Sequence, residues 1–260
     1  MKILALGDVV GRPGRDVLVE VLPGLIAERE ISFVVTNGEN AAGGSGLTPE
    51  TVKPLFEAGV DCLTTGDHVF RRKEIIPLLE TDMRLLRPAN FPNTASGKGF
   101  TVLPGRHGER VGVINVLGRV FMKPIDDPFA AADAALNKLA GETDVIIVDV
   151  HAEATSEKRA MGWHLDGRAT AVVGTHTHVQ TADEQILPKG TAYITDLGMT
   201  GPHHSVLGRS VEKVVRALTT GMPTHFDVAT GDSRLCGVLI TADANTHKAS
   251  AIERIVVKKE

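Results

Sequence analysis

Short apolar runs and helical stripes alternate along the first two thirds of the chain. Lys2–Leu6 is apolar and stops at Gly7-Asp8, the pattern of a buried strand. Val17, Leu18, Val21, Leu22, Leu25 and Ile26 follow at helical spacing, and Pro23-Gly24 is expected to kink or break that helix. Ser32–Thr36 reads as a second strand, ending in Asn37-Gly38-Glu39-Asn40 before a Gly-rich loop, Ala41–Gly46. Thr48-Pro49 is a helix start, with Thr as N-cap and Pro in the first turn. That helix runs to about Gly59. Cys62–Thr65 predicts a third strand, ending in Gly66-Asp67-His68, and Glu74–Glu80 a short helix.

The second half continues the alternation and then changes. Thr101–Leu103 and Val111–Leu117 read as neighbouring strands, and Pro128–Leu139 as a helix. Val145–Val150 is β-branched and ends at His151; Glu153–His164 reads as a helix. Ala171–Val173 predicts a strand that closes on Gly174-Thr175-His176-Thr177-His178. Tyr193–Thr195 is a further strand, followed by a loop rich in Gly, Pro and His, and Ser210–Leu218 a helix. The tail, Phe226–Ala229, Leu235–Thr241 and Ile252–Val257, reads as consecutive strands. A (β/α)₈ barrel does not end in strand after strand. The pattern implies an α/β fold, a layered α/β sandwich around a mixed β-sheet, as one domain over residues 1–260.

Composition narrows the class. With 42% hydrophobic and 23% charged residues in 260, disorder is excluded. Lys plus Arg total 28 against 32 Asp plus Glu, a formal charge of −4, which argues against a basic nucleic-acid surface. Cys62 and Cys236 lie in apolar surroundings and read as reduced core thiols. No apolar run approaches the roughly 18 residues that span a membrane, and Asp8 interrupts any signal-peptide core. A cytoplasmic location is expected. Aromatic residues total only 4%, so no base-stacking cluster is legible and no substrate-binding residue is assigned.

The candidate chemistry sits at strand carboxyl ends, where open α/β sheets bind ligands. Those ends carry Asp8, Glu39, Asn40, Asp67, His68, His151, His176 and His178. Singly, each has an ordinary reading: a strand-end turn for Gly7-Asp8, a helix cap for Glu39-Asn40, a hydrogen-bonded core residue for His151. His176 and His178 alternate, so on an extended strand both imidazoles would reach one cavity while Thr175 and Thr177 face away. Pooled, the set offers oxygen and imidazole donors without thiolate, which suits Zn, Mn or Fe. There are enough ligands for two ions sharing a carboxylate, the usual clamp for phosphoester hydrolysis.

In this order the blocks resemble the calcineurin-like metallophosphoesterases. Val10 stands where their first block has a His, Glu39 for the bridging Asp and Asp67 for the Asn. The stretches GDVVGRPGR (7–15), NGENAAGGSGLT (37–48) and AYITDLGMTGP (192–202) resemble one branch, the YmdB-like metallophosphoesterases. That resemblance implies a calcineurin-like fold and hydrolysis of small phosphodiesters such as 2′,3′-cyclic nucleotides. It also implies a homo-oligomer and two metal ions, Fe (Fe²⁺/Fe³⁺) or Mn²⁺ ahead of Zn or Mg. By resemblance, Asp8, Glu39, Asn40 and His178 hold the first metal. Glu39 bridges to the second, which Asp67, His151 and His176 complete. His68 is the catalytic general acid toward the leaving oxygen of a substrate attacked by a bridging hydroxide.

Several residues are left with open readings. Arg12 and Arg15 meet a phosphate or serve the surface. Asn37 orients Glu39. His203 and His204 line an entrance or a solvated loop. The AAGGSG loop cradles a phosphate or is a simple turn. Other functions compete: a phosphomonoesterase (nucleotidase), a nucleotide-binding regulator with slow turnover, or an amidohydrolase. Amidohydrolases carry H-x-H on the first barrel strand, whereas here it lies past the middle.

Overall fold

The computed structural model describes residues 1–143 and 145–258. In chain order the elements are β1 (Lys2–Leu6), β2 (Asp8–Val9), α1 (Gly11–Arg29), β3 (Phe33–Asn37), α2 (Pro49–Glu57), β4 (Cys62–Thr64) and α3 (Ile76–Thr81). Next come β5 (Phe100–Pro104), β6 (Arg110–Leu117), α4 (Pro128–Leu139), β7 (Val145–His151), α5 (Thr155–His164), β8 (Ala171–Thr175) and β9 (Gln185–Ile186). The chain finishes with β10 (Ala192–Ile194), β11 (Met199–Pro202), α6 (Val211–Thr220), β12 (Ser233–Ala242) and β13 (Ala249–Lys258).

Two mixed sheets form the centre, where the pattern implied one. The first runs β2-β11-β12-β1-β3-β4, with β13 paired to β12; the second runs β5-β6-β7-β8-β10-β9. Strand alternation explains why two sheets stack. On β1, Ile3 and Ala5 face an intersheet core with Phe33, Val113, Ile147 and Val173. Leu4 and Leu6 face the other way, into a core with Val17, Leu18 and Leu22 of α1 and Leu55 of α2. On the second sheet Val148 and Val150 meet Leu136 of α4 and Met161 of α5. Strands apolar on both faces are therefore buried on both faces, in a helix–sheet–sheet–helix sandwich.

Three local expectations change. Helix α1 is continuous through Pro23, because Pro23, Gly24 and Val19, whose carbonyl loses its donor, all face solvent. Phe226–Ala229 is not a strand; it makes one isolated bridge, Arg209 to Val228, and Phe226 is exposed. The Gly- and Pro-containing stretch after β10 does contain a strand, β11, which pairs in parallel with β2 (Met199 to Asp8) and antiparallel with β12. That pairing joins two of the sequence signatures. A Cβ on Gly7 would lie 2.0 Å from the Gly198 carbonyl oxygen, so only glycine permits the approach.

Candidate metal centre

Strands β1, β3, β4, β7 and β8 all end at one crevice. Every residue expected there is brought into a single cluster. Glu39, Asp67, His151 and His176 each offer a donor atom within 4.8 Å of the others. His151 Nε2 lies 3.2 Å from Glu39 Oε1 and 3.5 Å from Asp67 Oδ1. His176 Nδ1 is 3.0 Å from His151 Nε2 and 3.7 Å from Asp67 Oδ1. On the other side of Glu39, the Asn40 amide nitrogen faces three acceptors: Asp8 Oδ1 at 3.4 Å, Glu39 Oε1 at 3.4 Å and His178 Nε2 at 3.2 Å. Glu39 is thus common to two groups of acceptors.

Glycine makes room for the ring at the centre. A Cβ on Gly66 would stand 2.1 Å from His151 Cδ2. His176 and His178 are not placed by strand alternation, since β8 ends at Thr175. Both adopt left-handed backbone, φ +100° and +64°. Such strain persists only where surrounding contacts hold it. Asp8 Oδ2 accepts from the His176 amide at 3.1 Å, and Leu207 O accepts from His178 Nδ1 at 3.0 Å. Asp196 Oδ2 accepts from the Thr177 amide and hydroxyl, at 3.1 and 2.8 Å, and from buried Lys158 Nζ at 2.6 Å.

Behind His151 runs a buried relay. Thr175 Oγ1 donates to Asp149 Oδ1 at 2.7 Å, so it accepts from His151 Nδ1 at 2.9 Å. With Nδ1 carrying that proton, Nε2 is the nitrogen that faces Glu39 and Asp67. Asn37 completes the support: Oδ1 accepts from the Glu39 amide, and Nδ2 donates to Asp149. Its expected link to Glu39 is present, whereas Thr175 turns toward the site rather than away. Asp149 and Thr175 belong to strand-end blocks of the sequence but were given no part in the site, and Asp196 and Lys158 were not singled out; all four support it through these hydrogen bonds. Asp149 is a buried carboxylate inside the otherwise apolar β7, and Asp196 a buried one just beyond β10.

His68 sits at the edge, partly open. Asn40 Oδ1 accepts from His68 Nδ1 at 2.9 Å, Glu39 Oε2 accepts from the His68 amide at 3.0 Å, and Nε2 lies 3.7 Å from Asp67 Oδ2. His151 and His178 are far more enclosed, at 0% and 14% side-chain exposure against 25% for His68.

At Asp8, Glu39, Asp67 and His151 the neighbouring charges outweigh burial. Burial alone would raise the Asp8 carboxyl, but contact with His178 outweighs it and leaves the group below its usual range. Glu39 is likewise driven well below its range by His151 and His68 against the cost of burial. Asp67 is held low by His151 despite burial. Burial would depress His151, yet Glu39, Asp67 and Asp8 raise it well above 6.5. The ring thus keeps a proton, between the carboxylates, where a cation would sit. His176 is lowered by burial and by the adjacent His151 charge, and so accepts from it. Asp149 is pushed up to about 6, mainly by burial.

The residues left with open readings take the following places in the structure. Arg15 Nη1 donates to Ala41 O, while exposed Arg12 pairs with Asp16. In the Ala41–Gly46 loop the amides of Ala41, Ala42, Gly44 and Ser45 donate to the carbonyls of Gly38, Gly46, Asn40 and Ala42, and Arg209 donates to the carbonyls of Gly43 and Gly44. Those four amides are engaged within the protein. His203 contacts Gly201 O and Cys236 Sγ; His204 is exposed. Both cysteines are free and buried. Among the described residues no helix is long and apolar enough to cross a membrane.

The comparisons agree with the geometry. A protein from Bacillus subtilis (strain 168) named 2′,3′-cyclic-nucleotide 2′-phosphodiesterase is 50% identical over 260 residues, covering 100% of this chain and 98% of that protein. A crystal structure of a hypothetical protein from Thermus thermophilus is 43% identical, with TM-score 0.93 and all of both chains covered. A crystal structure of a novel phosphatase from Mycoplasma pneumoniae is 35% identical, with TM-score 0.92, covering 99% of this chain and 93% of that one. The model of the family described as YmdB-like protein matches residues 4–255, so this chain belongs to the YmdB-like family.

Proposed function

We propose that this protein is a metal-dependent phosphodiesterase acting on small phosphodiesters such as 2′,3′-cyclic nucleotides. The observation that carries the reading is the convergence of acceptors with too few protons among them. Asp67 Oδ1 is buried and makes no hydrogen bond. Glu39 Oε1, Asp67 Oδ1 and His176 Nδ1 all lie within 3.5 Å of His151 Nε2. The Asn40 amide group fills the middle of a second acceptor set. The donor set therefore fits two cations. On this reading Asp8, Glu39, Asn40 and His178 hold one, with Asn40 presenting Oδ1 after an amide flip. Glu39, Asp67, His151 and His176 hold the other.

Ions bound there supply positive charge to a phosphate and lower the pKa of a water. The chain's own groups do the rest. His151 is oriented by the relay through Thr175 to Asp149, which keeps its Nε2 directed at Glu39 and Asp67. His68 Nδ1 lies 2.9 Å from the Asn40 side-chain amide, which after the flip donates to it through nitrogen, so that Nε2 is the nitrogen holding a proton for the leaving oxygen. Asp67, in place of the Asn usual in the superfamily, adds a negative charge that favours a trivalent ion, Fe³⁺, beside Fe²⁺ or Mn²⁺. The B. subtilis relative's printed activity supports the substrate class. Burial raises the thiol pKa of Cys62, and that of Cys236 to about 11, which keeps both thiols protonated and poorly reactive.

The test is a metal-resolved activity screen over cyclic nucleotides, linear diesters and monoesters, with metal content and anomalous scattering on protein purified without added metal. Preference for cyclic diesters with iron or manganese present is expected. Preference for monoesters would make the protein a nucleotidase, and two divalent ions beside an ionised Asp67 would refute the Fe³⁺ assignment.

A further inference from the structure

A concave site of about 530 Å³ opens beside Asp67, which lines it as well as belonging to the acceptor cluster. Phe70, Phe91 and Ile125 supply its apolar lining, and exposed Arg71 and Lys123 its positive charge. The volume falls within the roughly 300–1,000 Å³ of small-molecule sites. Other cavities, one between Leu136 and His247 and one between Arg12 and Val228, include no residue of the acceptor cluster.

The aromatic pair was not legible in composition, and the structure corrects that expectation. Phe70 and Phe91 lie in different loops, yet their rings meet edge to face with centroids 5.5 Å apart and planes at 84°. Both are half-buried, as is Ile125, so each keeps accessible surface in the cavity. Aromatic side chains in such a site stack a planar heteroaromatic group, and every nucleobase has a π face. Arg and Lys beside them attract the phosphate end of the same molecule and add cation–π contact.

We infer that this cavity seats the nucleobase of the substrate, an assignment that rests on the phosphodiesterase reading above. Asp67 sets the geometry, because one carboxylate borders both the reacting end and the apolar end. A diester lacking a base would fill only the first. The protein is then a nucleotide phosphodiesterase rather than a general one, with Phe70 and Phe91 as specificity-determining residues.

The test separates base binding from turnover. Adenosine has no phosphate, so its binding reports on the cavity alone. Equilibrium dialysis of adenosine with the metal-loaded full chain is expected to show saturable binding. Phe91→Ala should weaken that binding about five- to hundred-fold, the range for removing one stacking partner. In the same variant KM for 2′,3′-cyclic AMP should rise by a similar factor while kcat stays within about threefold. Phe91→Leu keeps an apolar side chain if the alanine variant folds poorly, and it too should weaken adenosine at unchanged melting temperature. Turnover of cyclic AMP with no adenosine binding, or with KM unmoved in both variants, would overturn the cavity assignment and leave the phosphodiesterase reading standing. Adenosine binding that Phe91→Ala abolishes, in a protein without diesterase activity, would support the cavity and remove that reading.

Discussion

His68 and His151 both lie against Glu39 Oε1, at 3.3 and 3.2 Å, and are held differently. His151 is wholly buried, wired through Thr175 to Asp149, and directs Nε2 inward; His68 is tied at Nδ1 and leaves Nε2 at the open edge. His68→Ala should therefore lower kcat by about 10²- to 10⁴-fold, the usual worth of a general acid, while metal content stays that of the wild type. The loss should shrink for a nitrophenyl diester, whose leaving group needs little protonation. Equal loss on good and poor leaving groups, or loss of metal, would contradict the role. His151 makes a second prediction. Its pKa is raised in the metal-free chain, so at neutral pH a cation must displace its proton. Metal binding should release at least about one proton, and affinity should fall as pH falls. Calorimetry in buffers of different ionisation enthalpy reads this directly; heats independent of buffer would refute it. The linked sign for folding is opposite for the two kinds of group. The raised His151 stabilises the metal-free fold below its unfolded pKa and loses that contribution as pH rises through the folded value. The lowered carboxylates of Asp8 and Glu39 stabilise it above their unfolded pKa and lose theirs in acid.

At the level of elements, strands deliver the site and one loop finishes it. The strand ends were legible because β1, β3, β4, β7 and β8 are apolar on both faces and stop abruptly at polar residues. What finishes the site was not. The His176–His178 turn has left-handed backbone, set by long-range contacts to Asp8, Asp196 and Leu207 rather than by local propensity. Strand β11 reads locally as a Gly- and Pro-rich loop and becomes a strand only through β2 and β12. Phe70 and Phe91 are ordinary isolated aromatics until the fold joins them. Lys158 of α5 reaches Asp196, and both side chains are 1% exposed. Lys158→Met would leave the Asp196 charge buried and unpaired, at a cost of about 3–5 kcal/mol. Chemical denaturation measures it. A change below about 1 kcal/mol would show that Asp196 is satisfied by Thr177 and Gly198 alone.

For the whole molecule, the layering gathers acidic side chains at one crevice. Three of 32 acidic residues, Asp8, Glu39 and Asp67, lie together where the strand ends converge. On the proposed reading, two ions of total charge +5 against these three and a bridging hydroxide would leave one positive charge for a phosphate, although the chain as a whole is at −4. The total argues against a polyanion-binding surface and is silent about a small diester. Turnover of 2′,3′-cyclic AMP, before chelation, after it and after metal return, tests the central claim most directly when Glu39→Ala is run beside the wild type. The expected result is activity lost on chelation, restored by Mn²⁺ or Fe²⁺, and absent throughout in Glu39→Ala. Turnover that persists in metal-free protein, or that survives loss of the Glu39 carboxylate, would contradict it.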